Sequence, residues 1–145
     1  QKGAPKPDIS SADAVRRTLL NAKSIISVDP AQGSVGGIAL ATLDKLGITD
    51  QVKPKIMWVS GGGVVQESVA KGETEIALGP YLSDMKNPGL DVVGALPVGA
   101  STPVDITGFL STSVNDVKSA KALLDYLKSA EAAPLYQEAK IFPVK

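Results

Sequence analysis

Two glycine-rich segments, at residues 29–37 and 60–64, each follow a short run of β-branched residues and lead into a segment with helical spacing. Their sequences are Asp-Pro-Ala-Gln-Gly-Ser-Val-Gly-Gly and Ser-Gly-Gly-Gly-Val. A helix that begins directly after such a turn exposes backbone N–H groups without intrahelical partners, and its dipole adds partial positive charge there. These helix starts are therefore predicted anion-binding positions. The alternative is that glycine only relieves steric crowding in two tight strand-to-helix turns.

Strands and helices alternate on either side of the two turns. Apolar residues at helical spacing predict helices over residues 11–22, 38–46, 64–70, 117–127 and 131–139. Runs of β-branched residues predict strands over residues 24–28, 55–59, 75–79 and 90–96, and a longer extended segment over residues 104–112. Alternation of this kind indicates a mainly parallel sheet that is flanked by helices. The predicted fold class is therefore α/β.

Charge and residue composition exclude several classes of protein. The 145 residues include 15 basic and 15 acidic side chains, so the net charge is zero and a nucleic-acid partner is not expected. Cysteine and histidine are absent, which removes thiol nucleophiles, imidazole bases and the usual zinc ligands. No run approaches the roughly 20 apolar residues that a membrane helix needs. We therefore expect no metal, no cofactor and no membrane insertion.

Composition divides the chain into three parts. Residues 1–9 are polar and rich in proline, and they are predicted to form a flexible lead-in. Residues 10–103 carry the alternating strands and helices of one α/β lobe. The composition changes towards the end of this lobe, and residues 104–145 are predicted to form a returning strand and C-terminal helices whose apolar face packs on another body.

The order of these elements resembles the second half of the periplasmic molybdate-binding protein family. The first matching segment, residues 29–47, contains Asp-Pro, a Gly-Ser turn, a helix and Leu-Gly. The second, residues 53–84, contains Lys-Pro, a strand, three glycines, a helix, Gly-Glu, a strand and Gly-Pro-Tyr, and the third covers residues 113–145. Members of this family are two-lobed solute receptors of ABC importers with the type 2 periplasmic-binding fold, and they close on a ligand held between the lobes. The resemblance implies a periplasmic or extracellular protein that works with an ABC permease.

The resemblance also implies which groups face a small anionic ligand. Both turns place main-chain amides at the cleft, and a tyrosine hydroxyl after the third strand adds a side-chain donor. In this sequence the corresponding residues are Ser34, Val35, Gly36, Gly62, Gly63, Val64 and Tyr81. The alternative for Tyr81 is a partly buried tyrosine whose hydroxyl bonds to nearby backbone, and the alternative for the Ser34 hydroxyl is to cap its own helix.

The resemblance implies a first lobe ahead of the matching segments, and we expect this sequence to lack it, either because the sequence is a fragment of a solute-binding protein or because it is a naturally short homologue. In the complete fold the C-terminal residues return to the first lobe. The apolar face of the helix over residues 117–127 is therefore expected to lack its usual partner. Because exposed apolar faces recruit other chains, the sequence predicts a homodimer or a swapped C-terminal segment.

Three functions are consistent with these observations. The first is capture of a small oxyanion or carboxylate for an ABC importer, which needs no catalytic residue. The second is isomerisation of an unsaturated tricarboxylate such as aconitate on the same scaffold, which needs a base to move a proton. The third is a truncated homologue that acts only as an interaction module.

The isomerase alternative has few candidate bases because the sequence contains no histidine. The candidates are Asp29, Glu67, Asp84, Tyr81 or a lysine. Each is also explained as a solvated surface group, and Asp29 is explained as a turn-forming residue before proline.

Overall fold

The computed structural model of the chain describes residues 1–101 and 107–138, apart from the side chains of residues 81 and 82. The chain divides into two compact units, Gln1–Thr102 and Pro103–Lys145. Within the described residues, no helix has the length and apolar character that crossing a membrane requires.

A three-stranded parallel sheet forms the centre of the first unit. Its strands are β1 (Ile25–Val28), β2 (Ile56–Val59) and β3 (Ile76–Ala77), in the order β2-β1-β3. The central strand β1 pairs in parallel with both neighbours, and Val28 at its end lies opposite Val59. All of β1 is buried, as expected for a parallel strand with helices on both faces of its sheet. The predicted α/β fold with a mainly parallel sheet is confirmed.

Helices cover both faces of this sheet. The helices of the first unit are α1 (Ala12–Asn21), α2 (Ser34–Lys45), α3 (Thr49–Val52), α4 (Gly62–Ala70) and α5 (Tyr81–Asp84). Successive residues of β1 point to opposite faces. Ile25 shares a core with apolar side chains of α1, α2 and α3, whereas Ile26 shares a core with those of α4. The helices predicted over residues 11–22, 38–46 and 64–70 are confirmed, although α2 and α4 begin earlier, directly after glycine.

Two polar contacts close the ends of α1. The Ser11 hydroxyl caps the first turn by accepting a hydrogen bond from the Ala14 N–H at 3.1 Å. At the other end, the Lys55 ammonium donates to the carbonyl oxygens of Leu20 at 2.5 Å and Ala22 at 2.8 Å. Backbone groups that the helix itself leaves unpaired are thus satisfied by side chains.

The third strand, β3, is short, and polar contacts extend its attachment to β1. The Leu78 N–H donates to the Ile26 carbonyl at 3.0 Å. Ser27 is fully buried in β1, and its hydroxyl donates to the Leu78 carbonyl at 2.7 Å. The strand predicted over residues 75–79 is therefore present, although only Ile76–Ala77 has regular strand pairing.

The strand predicted over residues 90–96 is wrong. These residues form an irregular segment that pairs with none of the three strands. Gly94 has a φ of +147°, a conformation that side-chain-bearing residues rarely adopt, so an extended strand is interrupted there. The Asp91 carboxylate accepts a hydrogen bond from the Gly3 N–H at 2.8 Å. The leucines of the segment pack against the two cores without joining the sheet.

The second unit contains two helices in its described residues. These are α6 (Val117–Leu127) and α7 (Ala133–Glu138), with a 3-10 turn at Ala130–Ala132 between them. Asp116 caps α6 by accepting a hydrogen bond from the Ser119 N–H at 3.0 Å. The helix predicted over residues 117–127 is confirmed.

The remaining predictions for the second unit are met only in part. The helix predicted over residues 131–139 begins at Ala133 because the residues before it form the 3-10 turn, and residue 139 lies outside the described residues. Within the extended segment predicted over residues 104–112, residues 107–112 form no strand. Residues 104–106 lie outside the described residues.

Helix α2 packs closely against the end of β1 at Gly36. A Cβ atom on Gly36 would lie 2.3 Å from the Val28 carbonyl oxygen and 2.5 Å from the Pro30 nitrogen. The contacting atoms are backbone at the end of a buried strand, so they have little freedom to move away. By contrast, a Cβ atom on Gly37 would meet no atom within 4 Å. The fold therefore requires glycine at position 36 but not at position 37.

We expect Gly36→Ala to lower the free energy of unfolding by at least about 2 kcal/mol, because the added methyl group forces α2 away from β1. Gly37→Ala is the matched control, and its stability should be unchanged or higher by up to about 1 kcal/mol, since alanine favours the helix. Urea unfolding followed by Trp58 fluorescence measures both variants. Equal stability of Gly36→Ala and the wild type would contradict this close packing.

Candidate ligand-binding site

The three strands end side by side, so the loops that follow them leave the sheet at one edge. The Asp29 N–H, just beyond β1, donates to the Val59 carbonyl at the end of β2 at 2.9 Å. The Leu78 N–H, just beyond β3, donates to the Ile26 carbonyl of β1. In open parallel sheets, ligands bind outside the carboxyl ends of the strands. The two glycine turns lie at this edge of the sheet.

The turn after β1 is held in shape by Asp29. Its carboxylate accepts a hydrogen bond from the Ala31 N–H at 2.8 Å, and Pro30–Gln32 forms a 3-10 turn. Gly33 follows with a φ of +148°, which favours glycine. Asp29 thus has the turn-forming role that its position before proline predicts.

Helix α2 starts after this turn without a side-chain cap. A backbone hydrogen bond joins the Gly37 N–H to the Gly33 carbonyl at 3.3 Å. The N–H groups of Ser34, Val35 and Gly36 precede that bond, so the helix offers them no acceptor. Because Ser34 is the first helical residue and its hydroxyl does not cap α2, the capping alternative for this serine is wrong.

Helix α4 starts in the same way after the second turn. Gly61 has a φ of +94°, and no side chain caps the helix. The N–H groups of Gly62, Gly63 and Val64 occupy the first turn and have no intrahelical acceptor. Val64 is 49% exposed. The start of α4 is therefore accessible and carries unpaired donors.

Glycine is accommodated differently at the two helix starts. Gly36 is required by its contact with the end of β1, whereas Cβ atoms on Gly62 and Gly63 would meet no atom within 4 Å. Gly62 and Gly63 are the first two residues of α4, and packing within the described residues does not require glycine at either position. Space is therefore open beside the backbone at the start of α4.

The loop after β3 is attached to α4 by a set of polar side chains. The Gln66 side-chain amide donates to the Asp84 carboxylate at 2.9 Å, and its carbonyl oxygen accepts from the Asn87 side chain at 3.2 Å. Burial raises the pKa of Asp84, while hydrogen bonds from Gln66 and Ser83 act in the opposite direction. Gln66 and Asn87 were not among the predicted site residues, since only the folded chain brings them next to Asp84.

The candidate bases of the isomerase alternative lie in different surroundings. Glu67 is exposed, and its hydrogen bond and ion pair with Lys71, at 2.6 Å, lower its pKa. The Tyr81 backbone begins α5 after β3, but its side chain lies outside the described part of the structure. Asp84, the last residue of α5, is partly buried next to α4. Among the described residues, no group of three potential metal-binding side chains lies close together.

A family model for bacterial extracellular solute-binding proteins matches residues 1–139. The chain belongs to this family. This solute-binding protein is also similar to a curated protein named aconitate isomerase from Pseudomonas sp, with 33% identity over 145 residues. The aligned region is 99% of this chain and 54% of that protein, so the chain spans about half the length of this relative. The family model describes extracellular solute-binding proteins in general, so the match does not distinguish a molybdate-binding-like receptor from other solute-binding proteins.

We expect Asp29→Asn to leave the free energy of unfolding of this solute-binding protein within about 0.5 kcal/mol of wild type, because the amide oxygen still accepts from the Ala31 N–H. Asp29→Ala removes the acceptor and should cost about 1 kcal/mol. Urea unfolding of the two variants under identical conditions measures the difference. An Asp29→Ala variant with the same free energy of unfolding as the wild type would show that the carboxylate is not needed to form the turn.

Proposed function

We propose that this extracellular solute-binding protein captures a small oxyanion or carboxylate for an ABC importer, and that main-chain amides hold the ligand. The proposal depends on one observation above all: two uncapped helix starts follow neighbouring strands at one edge of the sheet. The proposed donors are the N–H groups of Ser34, Val35, Gly36, Gly62, Gly63 and Val64, with the Tyr81 hydroxyl as a further donor.

Backbone donors alone supply enough binding energy for such a ligand. Neither glycine turn contains lysine or arginine, so the helix dipoles provide the positive potential. A hydrogen bond to a charged group contributes roughly 1.5–3 kcal/mol, and several act together at two helix starts. Amides fixed by the fold also need little reorganisation when the ligand arrives.

The proposal also includes the type of receptor and its partner. We propose a molybdate-binding-like receptor that works in the periplasm or outside the cell with an ABC permease, and that closes a second lobe over the ligand. The family match supports an extracellular location and a small-molecule ligand. Because the chain spans about half of the curated relative, the second lobe and the permease are proposals for the whole protein.

Isomerisation of an unsaturated tricarboxylate is the second candidate function. The curated relative named aconitate isomerase bears on this alternative without favouring it over the receptor, and Asp84, a partly buried carboxyl group at the end of α5, is one candidate base. Incubation with aconitate in deuterated water, followed by NMR, distinguishes the two functions. Incorporation of deuterium into aconitate would support the isomerase, whereas binding without exchange would support the receptor.

We expect the full-length protein to bind at least one anion from a panel of molybdate, tungstate, sulfate, phosphate and small di- and tricarboxylates. Isothermal titration calorimetry measures the affinities. Absence of heat with every anion at neutral and acidic pH would contradict the proposed function.

Gly62→Pro tests the role of the backbone amides directly in the same measurement. Proline is tolerated as the first residue of a helix, where it removes the N–H of position 62. The ψ of 142° at Gly61 lies in the range of residues before proline, and glycine permits its φ of +94°. We expect anion affinity to fall about 10-fold to 100-fold, which corresponds to one charge-assisted hydrogen bond. Gly62→Ala is the matched control, since it adds a Cβ atom but keeps the N–H. Equal affinities for the two variants would contradict binding through this amide.

Self-association through the second unit is a further proposal, supported by exposed apolar side chains of α6. Val117, Leu123 and Tyr126 are 56%, 57% and 41% exposed. We expect size-exclusion chromatography with light scattering to give the mass of a dimer at high protein concentration. Leu123→Ser should shift the equilibrium towards the monomer, whereas the exposed control Lys121→Ser should not. A single-chain mass at every concentration would contradict the dimer, including the swapped form.

A further inference from the structure

The chain between β3 and Leu90 is anchored at both of its ends. At the β3 end, the Leu78 N–H donates to the Ile26 carbonyl at 3.0 Å, and the Leu78 carbonyl accepts from the Ser27 hydroxyl at 2.7 Å. At the other end, Leu90 packs against the core that contains Ile26. Residues 79–89, which lie between these two anchors and include α5, are called the connecting segment below.

Gln66 of α4 binds the connecting segment through both ends of its side-chain amide. Its Nε2 donates to Asp84 Oδ1 at 2.9 Å, and its Oε1 accepts from Asn87 Nδ2 at 3.2 Å. Asp84 and Asn87 are half-buried, and among the described side chains of the segment none is fully buried. The hydrogen bonds that join these two side chains to α4 therefore converge on one residue.

Asp84 and Asn87 in turn hold the backbone of the segment. The Asn87 N–H donates to the Asp84 carbonyl at 3.1 Å, and the Asn87 side-chain oxygen accepts from the Gly89 N–H at 2.9 Å. Nearer to β3, the Ser83 hydroxyl donates to the Pro80 carbonyl at 3.0 Å and lies 3.2 Å from Asp84 Oδ1. Because these bonds centre on the two residues that α4 holds, we expect the segment to be held or released as one piece.

Release of the segment differs in cost from unfolding of the first unit. Water can replace the two hydrogen bonds to Gln66, so their net contribution to stability is modest. The anchors at Leu78 and Leu90 belong to the sheet and to an apolar core, which separate only when the unit unfolds. Elements that are attached in this way open locally, at a lower free energy than global unfolding.

We propose that the connecting segment opens and closes on α4 as a unit, and that the Gln66 side-chain amide holds it closed. Glutamine suits this position because one side chain must donate to the Asp84 carboxylate and accept from the Asn87 amide. The segment leaves β3 at the edge of the sheet where both glycine turns lie, so its opening changes the shape of that edge. No ligand takes part, and the inference does not depend on the proposed function.

Native-state hydrogen exchange of the full-length protein, followed by NMR, measures this opening. The Asn87 and Gly89 amides report on the segment, and the Leu78 amide reports on the anchor beside β1. In the wild type, we expect the two segment amides to have similar protection from exchange, and less protection than the Leu78 amide has.

Gln66→Glu tests the role of the amide, because it replaces the donor by a second acceptor that faces the Asp84 carboxylate at neutral pH. We expect the Asn87 and Gly89 amides to exchange about 10-fold to 100-fold faster, which corresponds to the loss of one hydrogen bond to a charged group. The Leu78 amide should be unchanged. Gln66→Leu, which removes both hydrogen bonds without adding a charge, should accelerate the same two amides.

Two further variants separate the hydrogen bonds from a general loss of packing. Glu67→Gln alters the exposed neighbour of Gln66 on α4 and is the matched control, so it should leave exchange of the segment unchanged. The double variant Gln66→Glu with Asp84→Asn exchanges donor and acceptor between the two positions. The new amide at position 84 then donates to the new carboxylate at position 66, and exchange should return close to the wild-type rates.

Three outcomes would overturn the inference. The first is unchanged exchange of the Asn87 and Gly89 amides in Gln66→Glu and Gln66→Leu. The second is acceleration of one of these amides without the other, because the segment would then not move as a unit. The third is equal acceleration of the Leu78 amide, which would show global destabilisation and not local opening.

Discussion

The parallel pairing of β1 between β2 and β3 is the constraint on which the rest of the first unit depends. β1 is buried along its whole length, and the hydrogen bond from the Asp29 N–H to the Val59 carbonyl continues the pairing beyond its last residue. Because both neighbours run in the same direction as β1, three consecutive strand ends meet at one edge of the sheet. A hairpin at either position would send one of these turns to the opposite edge. Strand direction therefore places two separate helix starts at one edge of the sheet.

Glycine has different structural roles in the two turns at this edge of the sheet. Gly36 is present because α2 approaches the backbone of β1 too closely for any side chain, whereas Gly62 and Gly63 lie in open space. In the sequence these glycines look alike, since both turns follow a strand and precede a helix. Only the distances in the folded chain show that packing requires glycine at position 36 and not at positions 62 and 63.

Local patterns predict most of the secondary structure because spacing and capping act within a few residues. The helix over residues 11–22 and the strand over residues 24–28 were predicted from their own sequence. The segment over residues 90–96 was misassigned, since β-branched residues indicate burial but do not reveal whether a neighbouring strand offers a free edge. The bond between Gln66 and Asp84 joins residues 18 positions apart and depends on how the loop after β3 packs on α4. No periodicity in the sequence encodes that contact.

The contact between Gly36 and the end of β1 also determines what kind of motion this unit allows. With no side chain between them, the start of α2 lies directly against the backbone at the end of β1, and this contact sets the direction of the first amides of α2 relative to the sheet. Their conformational entropy is lost once, during folding, and not again when a ligand arrives. Under the proposed function, these donors are already ordered in the folded chain, and a ligand would bind them without further reorganisation of the junction between α2 and β1.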